Sequence, residues 1–385
     1  MEDMIPFLAG LFIGLAGGLL PAMHPNTMIS ILSSLGFESR ALAMMITGLY
    51  PSSMVMSFIP SVFFGIPDRS SVVVALPGQR MVMEGNGLSA LKVMLLSAVF
   101  AALLSCVLFF ASLGFFPIAI AALRGYMGYA LAALSLVFLM RSRNPPGAAA
   151  LFILSGALGY FSMDSGMADP FLPLFSGMFA MAGIANYQRS VVPAQTDSPN
   201  PHKSLALYCL IGVMLGMFAD IVPGIGSPAQ VATFATMLLP MDTFAYLATV
   251  SALSVSQALF SLSTSASIDK SRVGATAWLS GLIDIKEELP LILGLFMLSI
   301  GVAAMAAFLL RKHAARLASI DWSVVNPIIA AYLMAITFVI DGPMGLVVLG
   351  IGCGIGWLAI RSGVERTNLM GAVILPTLLL LFRVF

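Results

Sequence analysis

The feature that most limits this chain is a succession of apolar runs, each of about 17 to 25 residues and so long enough to cross a bilayer. Lipid offers no hydrogen bonds to backbone groups, so such runs must be helical wherever protein or a polar cavity does not shield them. Composition points the same way. Of 385 residues, 59% are hydrophobic and 9% charged, with a mean hydropathy of +1.01. Soluble domains carry roughly a quarter charged residues, so neither a water-facing surface nor a separate soluble domain can be built. The expected fold is an all-α polytopic membrane protein.

Turn chemistry and charge divide the runs into segments near 5–33, 40–65, 88–116, 118–140, 149–163 and 170–187. A second series follows near 205–239, 242–266, 288–311, 324–340, 343–361 and 367–384. Between the series lies "NYQRSVVPAQTDSPNPHKS", polar and proline-rich, which reads as a linker. The expected organisation is a first membrane repeat over 1–190, a linker over 191–204 and a second repeat over 205–385.

Each series opens on a long segment broken by Pro and Gly. "GLFIGLAGGLLPAMHP" and "GVMLGMFADIVPGIGSP" place Gly10, Gly14 and Pro21 at the same intervals as Gly212, Gly216 and Pro223. A second proline follows at Pro25 and Pro228, and an acidic residue, Glu38 or Asp242, opens the next segment. Such spacing between halves is a mark of internal transporter repeats.

Charge indicates how the repeats face. If each opening segment is a hairpin returning to its own side, one side collects Arg69, Arg80, Arg141, Arg143, Arg189, Lys203, Arg311, Lys312, Arg316, Arg361 and Arg366. These are eleven of the 18 Lys and Arg residues. The other side receives the acidic N-terminus, "MDSGMAD" and "DGPMG". The positive-inside rule makes the basic side cytoplasmic and both termini extracytoplasmic. A hairpin plus five crossings is an odd number, so the repeats are expected to be inverted. Whether each hairpin is re-entrant or two full helices stays open. The loop "IDKSRVGATAWLSGLIDIKEE" runs against the pattern by placing Lys270, Arg272 and Lys286 outside.

The two Pro/Gly knots are the chemistry-bearing stretches. Pro21 and Pro25 interrupt the helical ladder, and His24, Asn26 and Thr27 supply polar groups beside them. A helix begun after Pro25 points its N-terminal amides at an anion. In the second knot Gly224, Gly226 and Ser227 allow close backbone approach before Pro228. Two half-helix N-termini facing each other make an anion seat; a single knot would read as a structural kink. Asp220, standing where the first copy has Gly18, is a candidate ion-coupling residue or a salt-bridged structural one. His24 carries a proton, contacts a carboxylate, or is a satisfied structural group. Tyr50, Ser52, Ser53 and Ser57 give the next segment a hydroxylated face, echoed in "SALSVSQALFSLSTSASIDKSRVGA". These hydroxyls line the site or merely pack closely. Arg69 and Lys270 hold nearly equivalent positions and attract an anion or are ordinary interfacial charges.

Other classes find no support. No spaced nucleophile, base and orienting partner is present, and no P-loop or HExxH site. Cys106, Cys209 and Cys353 sit singly in apolar runs, so no disulfide framework or metal cluster is expected. A net charge of +1 gives no reason to expect nucleic acid as a partner. "MEDMIPFLAG" lacks the marks of a signal peptide and reads as the start of the mature protein. "GIGCGIGW" around Cys353 has a dinucleotide-loop look but lies within an apolar span, and reads as helix packing.

Through "GGLLPAMHP", "FFGIPDRSS…LPGQRMVMEGNG", "GVMLGMFADIVPGIGSPAQ" and "SIDKSRVGA", the chain resembles the TctA family, the large membrane subunit of the tripartite tricarboxylate transporters, in a short archaeal-type form. It differs in its first knot, "PAMHP" in place of the family's glycine-rich "PGLGP"-type turn. The resemblance implies secondary transport of small carboxylates with no cofactor beyond a coupling Na+ or H+. It also implies inverted repeats, a small membrane subunit and an extracytoplasmic binding protein as partners. Two other readings stand beside it: a translocase of polyprenyl-phosphate-type lipid carriers, and a non-transporting membrane scaffold.

Overall fold

The computed structural model describes the chain except for residues 1, 21–22, 64–71, 188–191, 198–203, 222–240, 272, 319–321 and 383–385. The described residues are helical, without strands. The first series consists of α1 (Met4–Gly17), α2 (Pro25–Ser34), α3 (Ser39–Met56), α4 (Phe58–Phe63), α5 (Val72–Met83), α6 (Gly87–Leu123), α7 (Met127–Arg141) and α8 (Pro145–Asp164). It closes with α9 (Phe171–Phe175), which runs through a π-helical turn (Ser176–Met181) into α10 (Ala182–Ala185). After the linker come α11 (Leu205–Ile221), α12 (Thr243–Ile268), α13 (Gly274–Leu282), α14 (Ile285–Ala318), α15 (Trp322–Arg361) and α16 (Gly371–Leu381). Among the described residues six helices are long and apolar enough to cross a membrane. The protein is a multi-pass membrane protein.

α15 is two arms rather than one rod. Gly342 has φ 64° and ψ −157°, a conformation open essentially to glycine alone. Beyond it the chain doubles back, because a Cβ on Gly345 would lie 3.3 Å from the Thr337 carbonyl oxygen. In a straight helix those two positions would be about 12 Å apart. The expected segments 324–340 and 343–361 are these two arms. The expected break near residue 117 does not occur: α6 continues through Pro117 to Leu123. Proline costs that helix one backbone bond, whereas unwinding it in lipid would strand many more. α5 and α13 are short helices that the segment pattern does not resolve.

The opening segments pack by glycine. On α1, a Cβ at Gly10 would strike the Met45 carbonyl, and one at Gly14 would strike Ser52 and the Leu49 carbonyl of α3. On α11, Gly212 meets Thr249 and Ala252 in the same way, and Gly216 meets Leu253 and Ser256 of α12. In both seams the residue numbers rise together, so α1 runs parallel to α3 and α11 parallel to α12. The chain between such helices must return to its starting level. α2 does this in the first half, and Arg40 at the head of α3 is ion-paired with Asp3 at the head of α1, at 2.8 Å. That guanidinium holds the Asp3 carboxyl below the usual carboxylate range. α1 has 14 residues and α2 has 10, roughly 21 and 15 Å of helix. Neither alone reaches across a core of about 30 Å.

α3 and α12 form the buried centre. The window of each that best fits a span is 100% and 94% buried, respectively. Several of their hydroxyls turn inward and bond to carbonyls a turn back, as Ser52 does to Gly48 at 2.6 Å and Ser254 to Val250 at 3.0 Å. Glu38 and Asp242 are the N-cap residues of these helices, and the Asp242 carboxylate accepts the Ala245 N–H at 2.7 Å. "GIGCGIGW" is a packing surface as expected. Gly352 and Gly356 lie against Leu174 and Met178 of the α9 segment, much as Gly156 and Gly159 of α8 lie against Leu375 and Ala372 of α16.

Ion pairs mark two ends of the molecule. Arg40 also pairs with Glu288 of α14 at 2.8 Å, and Lys286 pairs with Asp269 at 3.1 Å. Farther along α14, Arg311 pairs with Asp197 of the linker at 3.3 Å, and Lys92 of α6 approaches the same carboxylate at 3.9 Å. A rise of about 1.5 Å per residue makes the stretch from Glu288 to Arg311 ~35 Å long, close to bilayer thickness. The linker docks at the Arg311 end: Gln195 accepts the Gly87 N–H at 2.8 Å and donates to the Val82 carbonyl at 2.8 Å.

The glycine seams predict a clear contrast in thermal unfolding of the detergent-solubilised protein. Gly10→Val and Gly212→Val should each lower stability by about 1–3 kcal/mol through overpacking. Gly301→Ala, with open space around its Cβ, should leave the midpoint unchanged or raise it.

Candidate functional site

The first knot is built from helix-end chemistry. α1 ends at Gly17, and α2 starts at Pro25, whose fixed φ suits a first helical position. His24 is the N-cap, and its Nδ1 accepts the Asn26 N–H at 3.1 Å. The imidazole thus satisfies a backbone donor that would otherwise be orphaned at the helix start. Gly17 lies against the Met28 sulfur, and Gly18 against Ser53 and Met56 of α3. The break is therefore enclosed by its own hairpin and by the central helix.

Asn26 and Thr27 reach beyond the hairpin. The Asn26 amide lies against Gly274, the first residue of α13, so the N-termini of α2 and α13 meet. Its Oδ1 is buried with no hydrogen-bond partner among the described residues. Thr27 is fully buried, and its hydroxyl donates to the Asp169 carboxylate. The Asp169 N–H in turn donates to Asp341 Oδ1 at 2.8 Å. Asp169 sits just before α9, and Asp341 just before the second arm of α15. Four helix N-termini are thus linked through this group, each presenting a partial positive charge.

α13 is held to α12 by hydroxyls. Ser261 accepts the Val273 N–H at 3.1 Å and shares a hydrogen bond with Thr276 at 2.7 Å. At the far end of α13 a cavity of about 590 Å³ is lined by Ser265, Asp269, Ser280, Asp284 and Lys286, among others.

The remaining sequence candidates are distributed unevenly. Ser52 belongs to the α1–α3 seam, where it also donates to the Leu11 carbonyl at 3.3 Å, so close packing accounts for it. Ser53 is fully buried beside Gly18, its hydroxyl without a partner among the described residues. Asp220 is fully buried in the last turn of α11. Lys270 is exposed next to Asp269. Pro21, Arg69, Pro223, Gly224, Gly226 and Ser227 lie outside the described residues. Asp169 and Asp341 were expected only as acidic turn residues. The local sign was there in Asp169-Pro170 and Asp341-Gly342-Pro343, carboxylates placed just ahead of helix starts. Among the described residues no group of His, Cys, Asp and Glu could hold a metal ion.

The N-cap geometry predicts that His24→Asn, which keeps an acceptor, leaves the thermal midpoint near that of the parent. His24→Leu should destabilise by about 0.5–2 kcal/mol, the usual cost of a lost N-cap.

An uncharacterized protein of Methanocaldococcus jannaschii is 23% identical over 404 residues, with the whole of both chains covered. No solved structure matches the chain. The model of the tripartite tricarboxylate transporter TctA family matches residues 4–204, which contain the first knot and slightly more than half of the chain. This chain belongs to the tripartite tricarboxylate transporter TctA family.

Proposed function

We propose that the chain is an ion-coupled secondary transporter of small organic anions, di- or tricarboxylates, that seat between its two broken hairpins near the membrane midplane. The observation that carries this reading is the meeting of two helix N-termini, α2 from the first half and α13 from the second, at Asn26 and Gly274. Backbone amides and helix dipoles there favour a carboxylate. Asn26 Oδ1 and Ser53 Oγ, buried and without a partner among the described residues, lie beside the same break. His24 organises the start of α2, while the second knot, with Pro223, Gly224, Gly226 and Ser227, completes the seat.

The halves, 1–190 and 205–385, act as inverted repeats. What supports this is the ends at which equivalent helices lie. α3 starts at the Arg40–Glu288 end, whereas its counterpart α12 finishes there, at Asp269 beside Lys286. α6 starts at the Asp197–Arg311 end, whereas its counterpart α14 starts at the opposite one. The basic loops around Arg80 and Arg311 gather with the linker at one end, which the positive-inside rule makes cytoplasmic. Both termini are then extracytoplasmic. Asp220, a fully buried carboxylate in an apolar helix, serves as the coupling-ion or proton site. A small membrane subunit and an extracytoplasmic binding protein are the partners, as the family name's "tripartite" suggests.

Uptake of labelled di- and tricarboxylates into proteoliposomes, with and without sodium and proton gradients, tests the reading. Gradient-dependent accumulation is expected, and no uptake of any substrate would overturn it. Asp220→Asn should abolish gradient coupling. If coupling is unchanged, the aspartate is structural.

A further inference from the structure

We propose that Thr27, Asp169 and Asp341 form a polar latch that positions α2, and that Asp169 and Asp341 are its positioning residues. The chain of bonds runs from the Thr27 hydroxyl to the Asp169 carboxylate, and from the Asp169 N–H to Asp341 Oδ1 at 2.8 Å. It joins three separate pieces of structure: a short helix of the first hairpin, the turn between α8 and α9, and the bend of α15.

Two of these pieces are held by their own backbone geometry, whereas the third is held by side-chain packing. The 165–170 turn is pinned to α8, where Ser162 donates to the Pro170 carbonyl at 2.9 Å and Ser165 to the Ser162 carbonyl at 2.6 Å. The same turn enters α9 through the Leu172 N–H, which bonds the Asp169 carbonyl at 3.1 Å. Asp341 is fixed by the bend at Gly342, whose backbone conformation excludes other residues. α2, by contrast, has 10 residues and packs on α1, α3 and α13 only through its buried side. An isolated helix that short has little stability of its own. The latch adds a directional bond to that packing and so sets the register of α2, which carries His24 and Asn26 at its start.

The bonds are of a kind that can hold such a helix. Hydrogen bonds to a carboxylate are roughly twice as strong as neutral ones, and Asp169 is only 9% exposed to competing water. Both carboxylates also stand at helix starts, where N-terminal dipoles offset the repulsion between them.

The test uses the full chain in proteoliposomes, with Cys106, Cys209 and Cys353 replaced by Ala and a reporter thiol introduced by Met28→Cys. Met28 is 6% exposed, on the buried side of α2 against Gly17. Maleimide labelling of that thiol then reads the opening of α2. Asp341→Ala removes the acceptor, and Thr27→Val removes the donor at nearly constant shape. Each should speed labelling roughly tenfold or more, in line with the loss of a bond to a charged group. Asp341→Asn keeps an acceptor oxygen and should label at the parent rate. Should Asp341→Ala fail to fold, Thr27→Val carries the comparison. Labelling at the parent rate in both breaking variants overturns the latch. Acceleration in Asp341→Asn equal to that in Asp341→Ala overturns the positioning role, because charge rather than the hydrogen bond would then matter. A second readout rests on the transport reading: Asp341→Ala should raise the KM for carboxylate uptake with Vmax largely kept. Absence of uptake in the parent would count against that reading alone, because labelling reports the latch without it.

Discussion

The structure depends on one constraint: backbone that leaves the helical ladder at membrane depth has to be wrapped in protein. The first knot leaves it between Gly17 and Pro25. Its wrapping begins with glycine, because only a helix stripped of side chains along one stripe lets another backbone approach closely. Gly10 and Gly14 bring α3 against α1 over their whole shared length, and Gly18 continues the seam into the break itself. The parallel run of these helices then compels the return through α2. α3 becomes the most enclosed helix because hairpin material covers it from one side and α14 from the other. Gly212 and Gly216 repeat the arrangement with α12.

Burial of α3 and α12 in turn explains their hydroxyls. Ser and Thr facing lipid would have no outside partner, whereas facing inward they can bond carbonyls of their own helix or a neighbour. Facing inward they can also pair with each other, as the Ser112 and Ser263 hydroxyls do across α6 and α12 at 2.7 Å. Such groups add polarity without charge, so the centre stays compatible with close packing. Asp220 differs in kind, because a carboxylate at full burial raises a cost that hydroxyls do not.

Much of the fold was legible because membrane segments announce themselves by length rather than by periodicity. The arms of α15 were visible in "DGP", where Gly342 and Pro343 end one helix and start another. The equal spacing of Gly10 and Gly14 with Gly212 and Gly216 marked equivalent segments, but the helices that these glycines pack against appear only in the structure. Pro117 misled, since an apolar surround favours keeping a helix over breaking it. α13 was hidden because 9 residues are too few to stand out as a span. The site was less legible. The role of His24 follows from a local rule, an acceptor just before a proline-led helix. The link from Thr27 to Asp169 does not: it joins residues 142 positions apart, and no pattern in either stretch encodes the other.

The helix ends around the first knot also bear on what kind of ligand can act there. Two of the linked N-termini already have a carboxylate of the chain beside them, Asp169 before α9 and Asp341 before the second arm of α15. α2 and α13 meet through Asn26 and Gly274, an amide side chain and bare backbone, with no charge of their own at the contact. An anion arriving there would meet partial positive charge from α2 and α13 and repulsion from Asp169 on the far side of Thr27. A ligand shifts a conformational equilibrium only by its difference in affinity between states. α2 meets α13 while the Thr27 bond is made, so an anion that favours this meeting would bind best with that bond in place.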